Sequence, residues 1–357
     1  MITIGVDPHK DTHTAAAVKD SSGEFLDELT IPATDAGAEQ LLDWAHRLAS
    51  EDELRFALED VRNVSGRLER FLLERGELVL RVGTRLMVGT RKSARTFGKS
   101  DSIDALAIAR AALREPNLPR ATHRPELREL KLLVDHREDL VSERTAVVSR
   151  LRWHLHEIDP ALEPFARTLN REPVRRGLSQ RLGRFGSGVQ VRICRELLVR
   201  IGEITRVEQS RRAEIASLIR PLAPGLLAIS GVGDLITARL LVETGGARFA
   251  TDAQLARHAG CAPIEVSSGR VRRHRLSRMG NRKLNAALHQ VVLTQARVHP
   301  PARTYLDRKR AEGKSNKEAF RCLKRHLVRA VWRALQTTDP GPGASNQSAA
   351  TPLPAAP

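Results

Sequence analysis

The chain has few aromatic residues, few cysteines and no long apolar run. Aromatic side chains make up 3% of the 357 residues, which argues against a surface that stacks unpaired bases on rings. Its 3 cysteines lie far apart and lack the C-x-x-C spacing of zinc sites, so we expect reduced, buried thiols. No stretch reaches the roughly 18 apolar residues of a membrane span. No signal-peptide pattern opens the chain either, which favours a cytoplasmic location.

What the chain has in excess is positive charge. The 59 Lys and Arg residues outnumber the 42 Asp and Glu residues, giving a formal net charge of +17. Such an excess favours a polyanionic partner, because cations that neutralise phosphates release the counterions condensed on them. A membrane surface would attract the same charge, but the chain lacks a membrane-spanning stretch. We therefore expect a nucleic acid as the partner and no membrane.

Residues 1–122 are predicted to form an α/β domain. Hydrophobic and β-branched residues predict successive strands, and apolar residues at helical spacing predict the helices between the later ones. The predicted strands cover residues 2–6, 14–18, 25–31, 54–58 and 78–82, and the predicted helices cover residues 36–49, 64–75 and 101–113. Three strands of a meander followed by alternating helices and strands is the element order of an RNase H-like fold.

Four carboxylates mark the ends of these elements. Asp7 follows the first strand and Glu59 the fourth, while Asp101 and Asp104 share one face at the start of a helix. Two Mg²⁺ ions held about 3.5–4 Å apart by such oxygen ligands stabilise the attacking and leaving oxygens of phosphoryl transfer. Singly, these residues have ordinary explanations, such as a turn, a helix N-cap or a solvated strand end. Together, in so basic a chain, they predict a two-ion Mg²⁺ site.

Residues 123–220 are predicted to form a long helical connector. Apolar residues recur every seven positions from Leu127 to Leu155, and Arg137 and Arg144 interrupt the companion seam. This pattern predicts a long helix that packs against a partner helix, and it allows coiled-coil dimerisation. Residues 171–188 are rich in Arg, Gly and Ser and predict a loop or hinge before a second long helix over residues 191–219.

Residues 221–337 are predicted to be mainly helical, with an irregular basic insert, and residues 338–357 to be a disordered tail. The turn of Gly231 and Gly233 can bring backbone N–H groups to a phosphate, as in a helix-hairpin-helix element, or be a plain tight turn. In the insert, Ser267 and Ser268 stand among many cations. These cations would stabilise a phosphate during transfer, or only grip a DNA backbone.

Several of these motifs resemble the insertion-sequence 110 family of transposases. The motifs similar to its D-E-D-D set are Gly5-Val6-Asp7-Pro8-His9-Lys10, Ala57-Leu58-Glu59 and Lys99-Ser100-Asp101-Ser102-Ile103-Asp104-Ala105. The resemblance covers nearly the whole chain. It implies an N-terminal domain like that of the RuvC Holliday-junction resolvase, with Asp7, Glu59, Asp101 and Asp104 as metal ligands. Many relatives carry Glu-Ala-Thr-Gly at residues 59–62, so Asp60 of this chain competes with Glu59 as a ligand.

The resemblance also implies a covalent step. In that family a serine before a glycine forms a phosphoserine bond with DNA; Ser268 matches this position, and Ser267 is the alternative. A serine hydroxyl needs activation, and the sequence shows no Ser-His pair at close spacing here, so we expect help from the metal centre. The resemblance alone implies a bacterial, nucleoid-associated protein that recombines donor and target DNA with a structured guide RNA. Separate domains for serine and carboxylates, joined by a heptad helix, suggest a homo-oligomer, dimer or tetramer.

We expect basic residues and glycines near these motifs to contact nucleic acid, although solvated surface is the ordinary alternative for each. They are Lys10, Arg91, Lys92, Arg95, Lys99, Gly231, Gly233, Arg270, Arg272, Arg273, Arg275 and Arg278. The main alternative function is a junction-resolving nuclease that uses water as the nucleophile at the same metal centre. A binding protein without catalysis is another. A tyrosine recombinase would need Tyr305 and would leave the four carboxylates unexplained, so we interpret Tyr305 as an anchor on a helix.

Overall fold

A computed structural model gives the fold of most of the chain. It describes residues 1–50, 52–83, 101–115, 118–122, 124–245, 249–268, 271–275 and 280–338. Six predicted nucleic-acid contacts lie outside the described residues: Arg91, Lys92, Arg95, Lys99, Arg270 and Arg278. The tail from residue 339 and the side chains of Ser267, Ser268, Arg272 and Arg273 lie outside them too.

The chain divides into two compact units. One consists of Met1–Pro125 and Glu243–Arg333, and the other of Glu126–Val242 and Ala334–Pro357. The division into four segments that the sequence suggested stays a prediction. None of the helices in the described part of the chain is long and apolar enough to cross a membrane.

A mixed five-stranded sheet and the helices that cover it form the N-terminal part. The elements are β1 (Ile2–Pro8), β2 (Thr12–Lys19), β3 (Phe25–Pro32), α1 (Asp35–Ala49), β4 (Leu54–Glu59), α2 (Arg62–Glu74), β5 (Val79–Val82) and α3 (Asp101–Arg114). The strand order is β3-β2-β1-β4-β5, with β2 antiparallel to β1 and β3, and β4 parallel to β1 and β5. The predicted α/β architecture is confirmed.

Alternating side chains divide this sheet into two faces. Ile4 and Val6 on β1 lie in the larger apolar core, together with residues of α1 and α2. Gly5, between them, faces α3. A Cβ atom at Gly5 would lie 2.3 Å from the carbonyl oxygen of Ala105 and from the amide nitrogen of Ala109, so this close approach requires glycine. The missing side chain lets α3 pack directly on β1.

A buried ion pair on the other face of the sheet holds a distant segment of the chain. Arg81 on β5 donates from Nε and Nη2 to the carboxylate of Glu69 on α2, both at 2.7 Å. Its Nη1 donates to the carbonyl oxygen of Gly245 at 2.8 Å, across 164 residues of sequence. The sheet and the segment that begins at Glu243 therefore belong to one compact unit.

Two long antiparallel helices form the frame of the second unit. They are α4 (Pro125–Ile158) and α6 (Val189–Leu222), each of 34 residues. Glu157 accepts a hydrogen bond from Gln190 and Glu143 from Arg200, which fixes the antiparallel direction. The predicted packing of α4 against a partner helix is confirmed, and the partner is α6 of the same chain. Coiled-coil dimerisation stays a prediction.

The arginines that interrupt the α4 seam surround a buried carboxylate. Glu208 on α6 is 7% exposed. Its Oε1 lies 2.6 Å from Nη2 of Arg137, and its Oε2 lies 3.6 Å from Nη1 of Arg144. The two arginines of the seam therefore pair with a carboxylate of the same unit.

A short helix occupies the region in which the sequence predicted a loop or hinge, so that prediction is wrong. Helix α5 (Glu172–Leu182) buries Leu178 and Leu182 in the apolar core shared with α4 and α6. Arginine is a good helix former, so its abundance is compatible with a helix, and two well-spaced leucines are enough to anchor one.

The C-terminal region contains a β-hairpin among helices. From residue 224 onward the elements are α7 (Pro224–Leu227), α8 (Asp234–Thr244), α9 (Asp252–His258), β6 (Ile264–Ser268), β7 (Val271–Arg275), α10 (Arg282–Val298), α11 (Pro300–Ala311) and α12 (Asn316–Thr338). Strands β6 and β7 form the hairpin. Antiparallel pairing runs from Ile264 opposite Arg275 to Ser268 opposite Val271. The basic insert is therefore not irregular, and in β6 the β-branched residues Ile264 and Val266 alternate with the polar residues Glu265 and Ser267. The helix-hairpin-helix element stays a prediction.

Candidate functional site

The carboxyl ends of β1 and β4 bring two of the predicted ligands together. Val6 pairs with Leu58 in the parallel register of these strands, so the residues that follow, Asp7 and Glu59, are neighbours at the sheet edge. Both belong to the face that α3 covers, because Val82, the partner of Glu59 on β5, packs in the apolar cluster with α3.

Helix α3 adds the other two carboxylates, and His9 joins them. Asp104 is 4% exposed, whereas Asp101 is exposed in the first turn. Nε2 of His9 lies 3.2 Å from Oδ2 of Asp7 and 3.3 Å from Oδ1 of Asp101. Among the described residues, Asp7, His9 and Asp101 form a group whose potential metal-ligating atoms all lie within 4.8 Å of one another. Glu59 and Asp104 are outside this group.

The carboxyl group of Asp7 is buried with little to neutralise it. Burial is the main cause that raises its pKa; His9 lowers the pKa, and the charges of Asp104 and Asp101 raise it further. Among the described residues its buried Oδ2 has no hydrogen-bond partner with good geometry, and the nearest polar group is Nε2 of His9 at 3.2 Å. A bound cation would relieve this burial and repulsion. The oxygen donors therefore fit a hard divalent ion, and His9 offers a nitrogen ligand in addition.

Glu59 and Asp60 differ in their surroundings. Burial lowers the pKa of Arg81, but the hydrogen bonds and charge of Glu69 outweigh it, and the charge of Asp60 adds to them, so the pKa is raised. Arg81 extends to the face opposite α3, where it binds Glu69. The charge of Asp60 thus acts on a cation of that face, whereas Glu59 belongs to the face of Asp7.

His9 is the residue that sequence reasoning missed. It stood in a motif that we quoted, but not among the expected ligands. The available signal was the Asp-x-His spacing at a strand end, since residues two apart in an extended segment point to the same side. This spacing brings the imidazole of His9 to the carboxylate of Asp7.

The second half of the predicted site lies on the β6–β7 hairpin. Ser268 ends β6, where its backbone pairs with Val271, and Arg275 is exposed at the end of β7. The hairpin and the carboxylates belong to the same compact unit. The expectation of a homo-oligomer therefore does not follow from a separation of the two halves, and it stays a prediction.

Three other predicted contacts are described. Lys10 is exposed directly after His9. In the turn before α8, Gly231 has a φ of 82°, and a Cβ atom at Gly233 would meet no described residue within 4 Å. These positions are compatible with contact to a nucleic acid, which stays a prediction for each of them.

Comparison with known proteins gives matches over most of the chain. A family model described as a transposase matches residues 4–160, and one described as the transposase IS116/IS110/IS902 family matches residues 223–307. The chain is 28% identical to the uncharacterized 44.8 kDa protein of insertion element IS116 from Streptomyces clavuligerus, over 94% of each. It is 29% identical to the uncharacterized 43.6 kDa protein of insertion element IS110 from Streptomyces coelicolor, over 67% of this chain and 71% of that protein.

A solved structure, T. thermophilus RuvC in complex with Holliday junction substrate, is similar at 13% identity and a TM-score of 0.26. The match covers 32% of this chain and 94% of that one. A TM-score this low does not bear on the fold of this chain. Its α/β class follows from the strand order of the sheet and the helices that cover it.

Proposed function

We propose a DNA strand-exchange reaction for this chain, which belongs to the IS110 family of transposases, enzymes that act on DNA. Asp7, Glu59, Asp101 and Asp104 would hold Mg²⁺, as a two-ion site, and Ser268 would be the nucleophile. The main support for the metal site is the cluster of Asp7, His9 and Asp101, in which a buried oxygen of Asp7 has no hydrogen-bond partner among the described residues.

The metal would supply charge stabilisation for the transferring phosphoryl group. The residues of the chain would position the carboxylates that hold the metal. Asp7 and Glu59 come from adjacent strands, so their spacing is set by the sheet. Asp101 and Asp104 are held by the close packing of α3 on Gly5. His9 bridges Asp7 and Asp101 and so keeps the two carboxylates together.

In the proposed first step, Oγ of Ser268 forms a bond to a DNA phosphorus, and a DNA hydroxyl leaves with a proton. In the second step, a hydroxyl of another DNA strand forms the new phosphodiester, and Ser268 regains its proton. No water is consumed, so the number of phosphodiester bonds is conserved. The paired strand β7 carries Arg272, Arg273 and Arg275, cations of the type that stabilises a phosphate during transfer.

The resemblance adds partners to this proposal. Donor and target DNA would be the substrates, a structured guide RNA would select them by base pairing, and a homo-oligomer would be the active form. Support for these points comes from the family resemblance alone. The alternative function, a junction-resolving nuclease, would use the same carboxylates with water as the nucleophile.

A covalent-trapping experiment tests the serine. The protein is incubated with element-end DNA, its guide RNA and Mg²⁺, quenched in detergent, and the adduct is digested and mapped by mass spectrometry. We expect a phosphoserine at position 268 in the wild type and in the matched control Ser267→Ala, and none in Ser268→Ala. An adduct lost only in Ser267→Ala would move the nucleophile to Ser267. Continued cleavage to free ends by Ser268→Ala would instead support the nuclease.

A further inference from the structure

A basic pocket lies beside the β6–β7 hairpin, and its lining includes none of the carboxylates of the predicted metal site. It has a volume of about 630 Å³. Residues 260–263, which lead into β6, and Arg275, which ends β7, form one side of it, and residues of α11, α12 and the turn between them form the other. The cations that line it are Arg275, Lys309, Lys314, Arg321, Lys324 and Arg325.

Lys324 is the buried cation of this pocket, with a relative exposure of 9%. Its Nζ donates to Oδ1 of Asn285 at 2.9 Å. The amide nitrogen of Asn285 donates to the carbonyl oxygens of Ala259 and Gly260, at 2.7 and 3.2 Å, so the amide oxygen is the atom left for Lys324. In the described part of the chain, the ammonium thus has one neutral acceptor for its three donors.

The acidic residues of the pocket already have partners of their own. Glu312 accepts from Lys309 at 2.8 Å, and Glu318 accepts from the hydroxyl of Ser315 at 2.7 Å. The side chains of both are about 40% exposed, at 41% and 40%, so they lie nearer to solvent than Lys324 does. Neither carboxylate is recorded in an ion pair with Lys324. The buried end of the pocket is therefore cationic.

Burial shifts the pKa of two of these groups. It is the main cause that lowers the pKa of Lys324, and it raises the pKa of the neighbouring Cys261 thiol to about 11. A buried ammonium that has no carboxylate partner among the described residues is stabilised by an anion that enters the pocket from outside. A phosphate oxygen can accept the remaining hydrogen bonds of Lys324. Other cations line the same pocket, and three of them, Lys309, Arg321 and Arg325, are already paired with Glu312, Glu318 and Asp252.

We infer that this pocket binds a phosphate group of a DNA strand, with Lys324 as the cation at its buried end. The assignment to DNA rests on the proposed function. Each strand of the hairpin has five residues, so Ser268 lies about 14 Å from the pocket end of β6 at about 3.4 Å per residue. That is roughly four nucleotide steps along a duplex. The pocket would hold the strand at one phosphate while another lies at the serine.

Cysteine protection tests the inference without any substitution. Cys322 lines the pocket and is half-buried, whereas Cys194 is fully buried in the other compact unit. Full-length protein is alkylated with a small thiol reagent, and each cysteine is quantified by mass spectrometry after unfolding. We expect a DNA oligonucleotide to slow the alkylation of Cys322 and inorganic pyrophosphate to slow it at higher concentration. Labelling of Cys194 should not change.

A charge-neutral variant adds a second readout. Lys324→Gln keeps a donor for Asn285 but removes the charge. We expect DNA to bind it more weakly, with the slope of log K against log salt reduced by about 0.9, the value for one lost phosphate contact on duplex DNA. The matched control is Lys317→Gln, an exposed lysine on the same helix that does not line the pocket. Oligonucleotide protection of Cys322 should persist in Lys317→Gln and be lost in Lys324→Gln.

The results separate this inference from the proposed function. Protection by pyrophosphate but not by DNA would overturn the assignment to a strand, and protection by RNA alone would overturn the assignment to DNA. No protection by either phosphate source would overturn the pocket altogether, even if Ser268 still forms its adduct. Protection by DNA without any adduct at Ser268 would support the pocket and contradict the proposed function.

Discussion

Two buried carboxylates, one in each compact unit, have opposite surroundings. Glu208 in the helical unit is 7% exposed and faces Arg137 and Arg144. Asp7 at the sheet edge is 4% exposed, and in the described part of the chain its ion-pair partner is the imidazole of His9, which Asp101 shares. The first carboxylate is neutralised by the chain, whereas the second stands among other carboxylates.

This difference distinguishes a charge that supports the fold from a charge that is kept for a ligand. Burying an ion is costly, and a partner with good geometry offsets part of the cost. Glu208 has such partners in its own unit. Asp7 has a raised pKa and neighbours of like charge, so an external cation would stabilise it. The predictions below test this contrast from the largest expected effect to the smallest.

The largest loss of stability is expected for Gly5→Ala. The lack of a side chain at Gly5 is what lets α3 pack on β1 and bring its carboxylates to Asp7. The new methyl group would lie 2.3 Å from backbone atoms of Ala105 and Ala109, which cannot move aside as a side chain can. We expect a loss of at least about 3 kcal/mol, the upper range for overpacking a core, measured by urea unfolding. Gly83→Ala is the matched control, since no described residue lies within 4 Å of a Cβ atom there. Equal stability of the two variants would contradict the close packing.

The second effect is stabilisation by a divalent metal. Mg²⁺ or Mn²⁺ should raise the free energy of unfolding by about 2.7 kcal/mol when its concentration is a hundred times the Kd. Asp7→Asn should remove this metal-dependent gain, but it should not destabilise the metal-free protein, because it removes an unneutralised buried charge. Thermal unfolding with and without metal measures both. A metal-induced shift that survives in Asp7→Asn would show that the ion binds elsewhere.

The third effect concerns Glu208, the buried carboxylate that is paired with arginines. Glu208→Gln leaves Arg137 and Arg144 facing each other without a carboxylate. Breaking a buried pair costs about 3–5 kcal/mol; since both arginines are partly exposed, at 22% and 14%, we expect about 2 kcal/mol in urea unfolding. Glu203→Gln, on the exposed side of the same helix, should leave the unfolding curve unchanged. If metal-free Asp7→Asn lost as much stability as Glu208→Gln, the contrast between the two carboxylates would be wrong.

The smallest effect is expected at Asp60. Asp60→Asn should retain most of the metal-dependent stabilisation and most of the recombination activity, because the charge of this residue acts on Arg81. Glu59→Gln should lose both, because Glu59 stands beside Asp7. Recombination of a plasmid reporter and metal titration of both variants measure the difference. The reverse order of effects would assign the ligand role to Asp60.

Much of the α/β part could be predicted because its patterns are periodic. Strands at Ile2–Pro8 and Leu54–Glu59 begin with apolar residues and end at carboxylates, which predicts both the sheet and the position of Asp7 and Glu59. What local patterns could not give is the contact between α3 and β1, because Gly5 carries no pattern of its own. Its role is visible only when the backbone of Ala105 is placed against it.

The remaining differences arise where charge hides periodicity. The residues of β6 alternate correctly for a strand, but the surrounding arginines suggested an irregular insert. Helix α5 was missed because its glycine and arginines outweighed Leu178 and Leu182 in the composition. The basic pocket could not be predicted from local patterns, because its lining comes from the residues before β6, from the end of β7 and from two later helices.

The hydrogen bond from Arg81 to Gly245 joins two segments that are synthesised at different times. The two residues are 164 positions apart, and a ribosome adds about 5–20 residues each second. Arg81 and the strands before it therefore leave the ribosome roughly 8 to 33 s before the segment that Arg81 holds, and Ser268 follows later still. A nascent or truncated chain would carry Asp7, Glu59, Asp101 and Asp104 without Ser268, so the proposed strand exchange would have to wait until synthesis has passed the hairpin.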